Sequence, residues 1–473
     1  SEYCEQVGAP EQLPRVLRIA AQTALGRGGV SVMVLPGDVA QQPAHGELVE
    51  HDFLLRPSAV LPPPEQIDRL SAALNHAQKI MLFCGAGVRD AHAEVMALAH
   101  RVLSPVGHAL RGKEWIQFDN PYDVGMSGLL GYGACYEAMR EADLVVLVGT
   151  DFPYDQLLPG RRTIQIDHDA TRLGRRTALE LAVHGDIATT LRSVMDNVAQ
   201  KTDTEYLHRM LREHAKRLEN VVHAYTRNVD KHIPIHPEYA ASLLDELADD
   251  AAVFTVDTGM CCVWAARYIT PNPTRRMIGS FVHGSMANAL PHAIGVQLAE
   301  PDRQVIVMAG DGGLGMLLGE LLTVRLHDLP VKIIVFNNAS LGMVKLEMLV
   351  DGMPDYETDH RQVDYAAIAD GAGIPAERVT DPAEVRAALS RALTTPGPYL
   401  VDVVTDPNAL SVPPRITAGE VKGFALAAGK IVLNGGVGKM IDMARSNLRN
   451  IPRPLRLCTA VRNRVRPRRS HAV

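Results

Sequence analysis

Short apolar runs recur along the chain at Val30–Leu35, Ile80–Cys84, Leu144–Val148, Thr163–Ile166, Val253–Val256, Val305–Met308, Ile333–Phe336 and Leu400–Val404. Most are rich in β-branched residues, and longer stretches of helical pattern separate them. A strand that is apolar on both sides must be covered on both sides, which parallel sheets with crossover helices achieve. The pattern predicts an α/β fold of several domains, with parallel sheets flanked by helices. At 473 residues, 47% of them hydrophobic, the chain can bury more than one such core.

Proline divides the chain. Leu61-Pro62-Pro63-Pro64 and Ile233-Pro234-Ile235-His236-Pro237 read as linkers, because proline lacks the N–H that a strand or helix interior needs. They set segments of 1–60, 61–212 and 213–408, followed by 409–450 and a basic end at 451–473. The formal charge, 48 − 54 = −6, gives no reason to expect nucleic-acid binding, and no apolar run is long enough to cross a bilayer. Six cysteines without CxxC spacing suit a reducing cytoplasm. The N-terminus shows no signal-peptide pattern and no initiator Met.

The stretch Met308-Ala309-Gly310-Asp311-Gly312-Gly313-Leu314-Gly315-Met316 sets an acid among glycines straight after an apolar strand. Residues 313–336, 24 in all, separate Gly312 from Asn337-Asn338. That interval accommodates a helix over 314–327, a turn at Asp328-Leu329-Pro330 and a second strand. Such a helix of about 14 residues spans roughly 21 Å and a strand of about 6 roughly 20 Å. The chain therefore returns to the edge it left, bringing Asp311 and Asn338 together at the carboxyl ends of neighbouring strands, where α/β sheets bind ligands. A carboxylate and an amide carbonyl are hard oxygen donors suited to Mg2+ or Ca2+, and too few to hold it alone. Glycines at the helix start leave N–H groups for phosphate oxygens. An acid beside a phosphate needs a cation between them, so Asp311 is expected to hold a metal that holds a diphosphate. Taken alone, Gly-Asp-Gly and Asn-Asn are ordinary turns, and the argument rests on their spacing.

GDG followed at this interval by NN resembles the thiamine-diphosphate-dependent enzymes. The likeness runs from Ser1 to about Asn450 and is nearest to the bacterial pyruvate dehydrogenase (quinone) and pyruvate oxidase branch. It is carried by HALRGKE (108–114), NPYDVGMSGLLG (120–131), GTDFPY (149–154), VWAARY (263–268), GSFVHGSMANALP (279–291) and KGFAL (422–426). The resemblance implies thiamine diphosphate, with Mg2+ held by Asp311, Asn338 and the Ser340 carbonyl. Gly284, Ser285 and Met286 would line the thiamine rings, with Met286 as the wedge that bends the cofactor. Gly312, Gly313, Ala339, Leu341, Gly342, Met343 and Val344 would complete the site. At Met343 the quinone-dependent relatives carry a mobile phenylalanine, a departure that bears on gating. The segment 61–212 would bind FAD, through Leu129, Leu130, Gly131, Tyr132, Phe152, Pro153, Tyr154, Asp155 and Gln156. Within it, Cys84-Gly85-Ala86-Gly87 is a glycine turn after a strand, and Asp167 either meets a ribose hydroxyl or caps a helix.

The implied reaction is oxidative decarboxylation of pyruvate to acetate and CO2, with electrons passing through FAD to a membrane quinone, or to oxygen in the other branch. Two alternatives are an acetolactate-synthase-like carboligase with structural FAD, and a noncatalytic cofactor-binding fragment. The family's activating glutamate lies early in a pyrimidine-binding domain, of which residues 1–46 resemble only the last helix and strand. Glu2, Glu5 and Glu11 stand outside the matching motif. The expectations are an N-terminally truncated sequence, impaired turnover, and a strand at 30–35 without sheet partners.

In 409–450, Phe424, Leu426, Ile431, Leu433, Val437, Met440, Ile441 and Met443 interleave with Lys430, Lys439 and Arg445. This reads either as a docked helical hairpin or as a surface-lying segment on anionic lipid. By resemblance the enzyme would sit at the inner face of the cell membrane as a dimer-based homotetramer. The arginine-rich end beyond 450 reads as a solvated tail or an anion contact.

Overall fold

A computed structural model of the chain describes residues 1–43, 58–158, 160–229, 231–409, 425–431, 437–447 and 449. The chain forms two compact units, Ser1–Leu61 and Pro62–Val473.

In the smaller unit, β1 (Tyr3–Gln6) pairs in parallel with β2 (Ser31–Val34), Tyr3 opposite Ser31 and Gln6 opposite Val34. The strand at 30–35, expected to stand alone, therefore has a partner. Helix Leu13–Arg27 makes the crossover and ends at Gly28 with φ +61°. Glycine adopts this left-handed turn at no steric cost. Val7, Val16 and Val39 make its small core, while Val30, Val32, Val34 and Leu35 remain exposed.

The larger unit holds two sheets. One contains β3 (Ile80–Cys84), β4 (Val106–His108), β5 (Asp123–Met126), β6 (Tyr132–Gly133), β7 (Leu144–Val148), β8 (Arg162–Asp167) and β9 (Leu181–His184). Their order is β6-β5-β4-β3-β7-β8-β9, all parallel except the β5–β6 pair. The other contains β10 (Val253–Val256), β11 (Arg276–Gly279), β12 (Val305–Gly310), β13 (Lys332–Asn337), β14 (Ala376–Val379) and β15 (Tyr399–Val404), in the wholly parallel order β11-β10-β12-β13-β15-β14. The continuous apolar runs have the predicted cause. Along β3, Ile80, Leu82 and Cys84 pack into one core and Met81 and Phe83 into the opposite one. Along β12, Ile306 and Met308 face one core, and Val305, Val307 and Ala309 the other.

Strand order reverses between β3 and β7 in the first sheet and between β10 and β12 in the second. Such switch points open crevices at the carboxyl ends of the strands. Two expectations change. Residues 314–327 do not form one helix: helix Asp311–Met316 is followed by helix Glu320–Leu326. Gly312, Gly313, Gly315 and Gly319 weaken a continuous helix here. The prolines at 233–237 are no free linker, because Ile235 is buried and bridges Thr405, while Pro237 opens helix Pro237–Leu247.

Candidate functional site

At the second switch point, a cavity of about 250 Å3 opens on the ends of β10, β12, β13 and β15. Asp311 follows β12 as a nearly inaccessible side chain, 2% exposed. Its Oδ1 accepts from Gly312 N at 2.9 Å and its Oδ2 from Ala339 N at 2.6 Å, which ties the β12 turn to the β13 turn. His360 Nε2 lies 3.4 Å from the same Oδ2. Burial raises the Asp311 pKa above the usual carboxylate value, against His360 and the backbone donors, which lower it. An acid in that position favours a cation as neighbour.

The two asparagines divide their work. Asn337 is fully buried and donates to Asp402 Oδ1 at 2.8 Å and to the Val363 carbonyl at 2.9 Å, bracing β13 against β15. Asn338 faces the cavity, its Oδ1 accepting from Ser340 N at 3.0 Å. Between them and Ser340, Ala339 adopts φ +52°, strained for a residue with a side chain. Asp311, Asn338 and Ser340 thus bring a carboxylate, an amide oxygen and a backbone carbonyl to one cavity. This donor set is hard and oxygen-only, as Mg2+ prefers. Among the described residues, no group of three or more His, Cys, Asp or Glu side chains could hold a metal, so a site here depends on those neutral oxygens.

Gly284, Met286, Gly312, Gly313, Leu341, Gly342, Met343 and Val344 line the same cavity, whereas Ser285 and Ala339 do not. A Cβ on Gly312 would come within 2.8 Å of Leu341 Cδ2, with Met286 Cε at 3.7 Å, so the bare glycine lies beneath apolar side chains. The sequence reading missed Asp257, which follows β10 as Asp311 follows β12. Its Oδ1 accepts from Thr258 N at 2.8 Å, Asn288 N at 3.2 Å and Asn288 Nδ2 at 3.1 Å. A Cβ on Gly313 would meet Asp257 Oδ2 at 1.9 Å, so any side chain there must displace Asp257. The available signal was an acid straight after a strand, in Val256-Asp257-Thr258-Gly259.

At the first switch point, a cavity of about 380 Å3 is walled by Gly85, Gly149, Leu129, Leu130, Phe152, Pro153 and Tyr154. Here the backbones nearly touch: a Cβ on Gly85 would lie 2.5 Å from Gly149 O. Arg111, Arg172, Arg175 and Arg176 give the wall its charge, with Asp151 as a counter-ion to the last two. Gly131, Tyr132, Asp155 and Gln156 are not in that wall. The Gly131 carbonyl accepts from Arg267, and the Tyr132 hydroxyl accepts from Gln117 Nε2 at 2.6 Å inside the protein. Asp167 is buried and accepts from Asp169 N.

Tyr132 belongs to an interior polar cluster. Asp123 lies 3.9 Å from His108 Nε2 and 3.8 Å from His214 Nε2, with Lys113 and Gln117 alongside. Burial lowers His108 to about 4 and Lys113 to about 8. In the smaller unit, Glu5 accepts from Tyr3 and from Arg15 at 3.0 Å, while Glu2 packs near Gly29.

Residues 425–431 and Val437–Asn447 are helical. Ala427, Ile431 and Met443 form a cluster with Leu349, while Leu426 and Ile441 are exposed. Ser446 Oγ donates to Asp406 Oδ2 at 2.6 Å, and Arg449 stacks over Tyr225 at 5.5 Å. Phe424, Leu433 and the arginine-rich end beyond 450 lie outside the described residues. Among those described, no helix is long and apolar enough to cross a membrane.

Comparison with known proteins agrees with this arrangement. Residues 257–403 match the thiamine pyrophosphate enzyme C-terminal TPP binding domain, and residues 67–194 match the central domain of the same enzymes. YdaP of Bacillus subtilis (strain 168), provisionally named as containing thiamine pyrophosphate, is 32% identical over 89% of this chain and 73% of its own length. The acetolactate synthase isozyme 2 large subunit of Escherichia coli is 30% identical over 84% of this chain and 72% of its own. Acetolactate synthase 1 of Oryza sativa is 29% identical over 86% of this chain, which spans 66% of that relative. The chain belongs to the thiamine pyrophosphate enzyme family.

Proposed function

We propose that the chain decarboxylates pyruvate on thiamine diphosphate and passes the electrons to FAD held in the neighbouring cavity. Asp311, Asn338 and the Ser340 carbonyl would hold Mg2+, and the bare backbone at Gly312 and Gly313 would take the diphosphate. Met286, Leu341 and Met343 would exclude water around the reacting carbon. When bound, thiamine diphosphate supplies the nucleophilic carbon that attacks the keto group and holds the electron pair left as CO2 departs.

The observation that carries the oxidative step is one loop shared by both cavities. Phe281 and Val282 line the larger cavity, and Gly284 and Met286, a few residues on, line the smaller. Arg172, Arg175 and Arg176 and close-approach glycines suit the larger cavity to a phosphate-bearing dinucleotide such as FAD. We further propose a cytoplasmic enzyme at the inner membrane face, reducing a membrane quinone. Exposed Leu426 and Ile441 on the C-terminal segment support a lipid contact. Exposed Leu298, Met316, Leu317, Leu322 and Leu326 support an interface between copies in a homotetramer.

A second reading is carboligation with FAD in a structural role, favoured by the identity to acetolactate synthases. Anaerobic addition of pyruvate to chain loaded with FAD, thiamine diphosphate and Mg2+ separates the two. Bleaching of the flavin band at about 450 nm is expected, slowly, because turnover is expected to be impaired. An unbleached band with acetolactate formed would overturn the oxidative reading in favour of the second.

A further inference from the structure

Next to the larger cavity, sharing Ala86, Leu110, Arg111 and Phe281 with it, lies another of about 280 Å3, whose Arg89, Glu114, Trp115 and Arg276 are absent from the larger one. Arg89, Arg111, Glu114, Trp115, Arg276 and Phe281 are in its wall. The guanidinium carbons of Arg89 and Arg276 each lie 4.7 Å from the centre of the Trp115 ring. Glu114 is the one acid in that wall, and its Oε2 accepts from Arg276 Nε at 3.1 Å and Met277 N at 3.2 Å. Arg276 is thereby neutralised. Among the described residues, no carboxylate lies within ion-pair distance of Arg89 or Arg111.

Three guanidiniums against one carboxylate leave the wall with two uncompensated positive charges. Cation–π attraction to one indole is weak against mutual repulsion of that kind. An anion entering the cavity would relieve it. We propose that this cavity binds a small phosphate-bearing anion, recognised by Arg89 and Arg111 beside the Trp115 ring. Planar guanidinium forks match phosphate oxygens two at a time. Stacking on Trp115 orders Arg89 in advance, so little rotamer freedom is lost on binding. Two guanidiniums facing one cavity suit a diphosphate, whether free or at the end of a nucleotide.

The chain provides its own reporter. Of its two tryptophans, Trp264 is buried in the core and touches the thiamine-side cavity, whereas Trp115 stands in this wall. The test is a tryptophan-fluorescence titration of the full chain with inorganic pyrophosphate, without Mg2+, repeated with ADP and with saturating FAD. The signal remaining in Trp115→Phe is subtracted as the Trp264 response. A saturable Trp115 response that survives FAD is expected. The paired change Arg89→Gln and Arg111→Gln should weaken it about tenfold or more, and Glu114→Gln should tighten it. Tighter binding of ADP than of pyrophosphate would mark a nucleotide as the source, and equal binding a free diphosphate. Three results would overturn the site: no Trp115 response at millimolar pyrophosphate, a response indifferent to the arginines, or competitive loss with FAD.

Discussion

Where the six-stranded sheet reverses its strand order, Asp257 and Asp311 stand at the ends of β10 and β12. Where the seven-stranded sheet reverses, Gly85 and Gly149 stand at the ends of β3 and β7, and arginines 111, 172, 175 and 176 line the opening. The two sheets share a winding rule and differ in the sign of the charge at the crevice. An acidic crevice can receive a phosphate only through a cation, whereas a basic crevice receives it directly. Under the proposed function, the same backbone plan would serve a metal-dependent site and a metal-independent one, depending on a handful of side chains.

The largest effect should come from removing the charge that calls for the cation. Asp311→Asn keeps an oxygen for Ala339 N but loses the carboxylate. Mg2+-dependent binding of thiamine diphosphate should weaken by at least the roughly 100-fold known for losses around metal sites. FAD titration should be unaffected. If both affinities fell together, the two crevices would not be independent and the contrast would fail.

The glycines offer a second cut. Gly313→Ala drives a Cβ into Asp257, and overpacking of this kind costs about 1–3 kcal/mol. Asp257→Ala in the same chain should restore part of the denaturation midpoint, since the obstacle is a side chain. Gly85→Ala collides instead with the Gly149 carbonyl and with Thr150, so deleting a single side chain should not rescue it. Equal rescue at both sites would erase the distinction.

A smaller effect is expected from Arg175→Gln with Arg176→Gln. FAD affinity should fall about tenfold at low salt, and the gap to wild type should close as ionic strength rises. Thiamine diphosphate affinity should not move. A salt-independent loss would mean that the arginines act through packing around Asp151.

The parts of this plan that were legible in the sequence are those in which one residue type has one physical use. Val305–Met308 and Ile333–Phe336 are apolar on both sides and became doubly covered strands. Asp311 and Asn338 came together because strand and helix lengths nearly cancel, even though the helix between them breaks. Strands that borrow their stability from neighbours were not legible. Arg276–Gly279 and Ala376–Val379 are edge strands with mixed burial, and Tyr3–Gln6 is exposed at alternate positions. Nor could a repeated letter reveal that Asn337 braces the sheet while Asn338 faces the cavity. Asp257 was passed over because a single acid after a strand means little until Gly313 is seen against it.

Protons give the finest distinction between the sheets. Burial raises the pKa of Asp257 and Asp402 beside the six-stranded sheet and lowers His108 to about 4 and Lys113 to about 8 beside the seven-stranded one. A carboxyl raised on folding favours the folded state at low pH, and that contribution is lost as pH rises through the raised value. A histidine lowered on folding does the opposite: the unfolded chain binds more protons between about 4 and 6.5, so stability is lost as pH falls through that window. Three groups face His108: Asp123, which favours its charged form, and Lys113 and His214, which oppose it. From pH 7 to 6 the His108 contribution amounts to less than about 1 kcal/mol. Amide exchange corrected for intrinsic rate should therefore quicken in β3–β5 over that step, with no matching change in β10–β13 in a His236→Gln background, since burial also lowers His236, beside the Ile235 that bridges Thr405, to about 3. His108→Gln should flatten the response. Equal quickening in both sheets would show that the larger unit opens as a whole, and that the charge contrast at its two crevices does not extend to their separate stabilities.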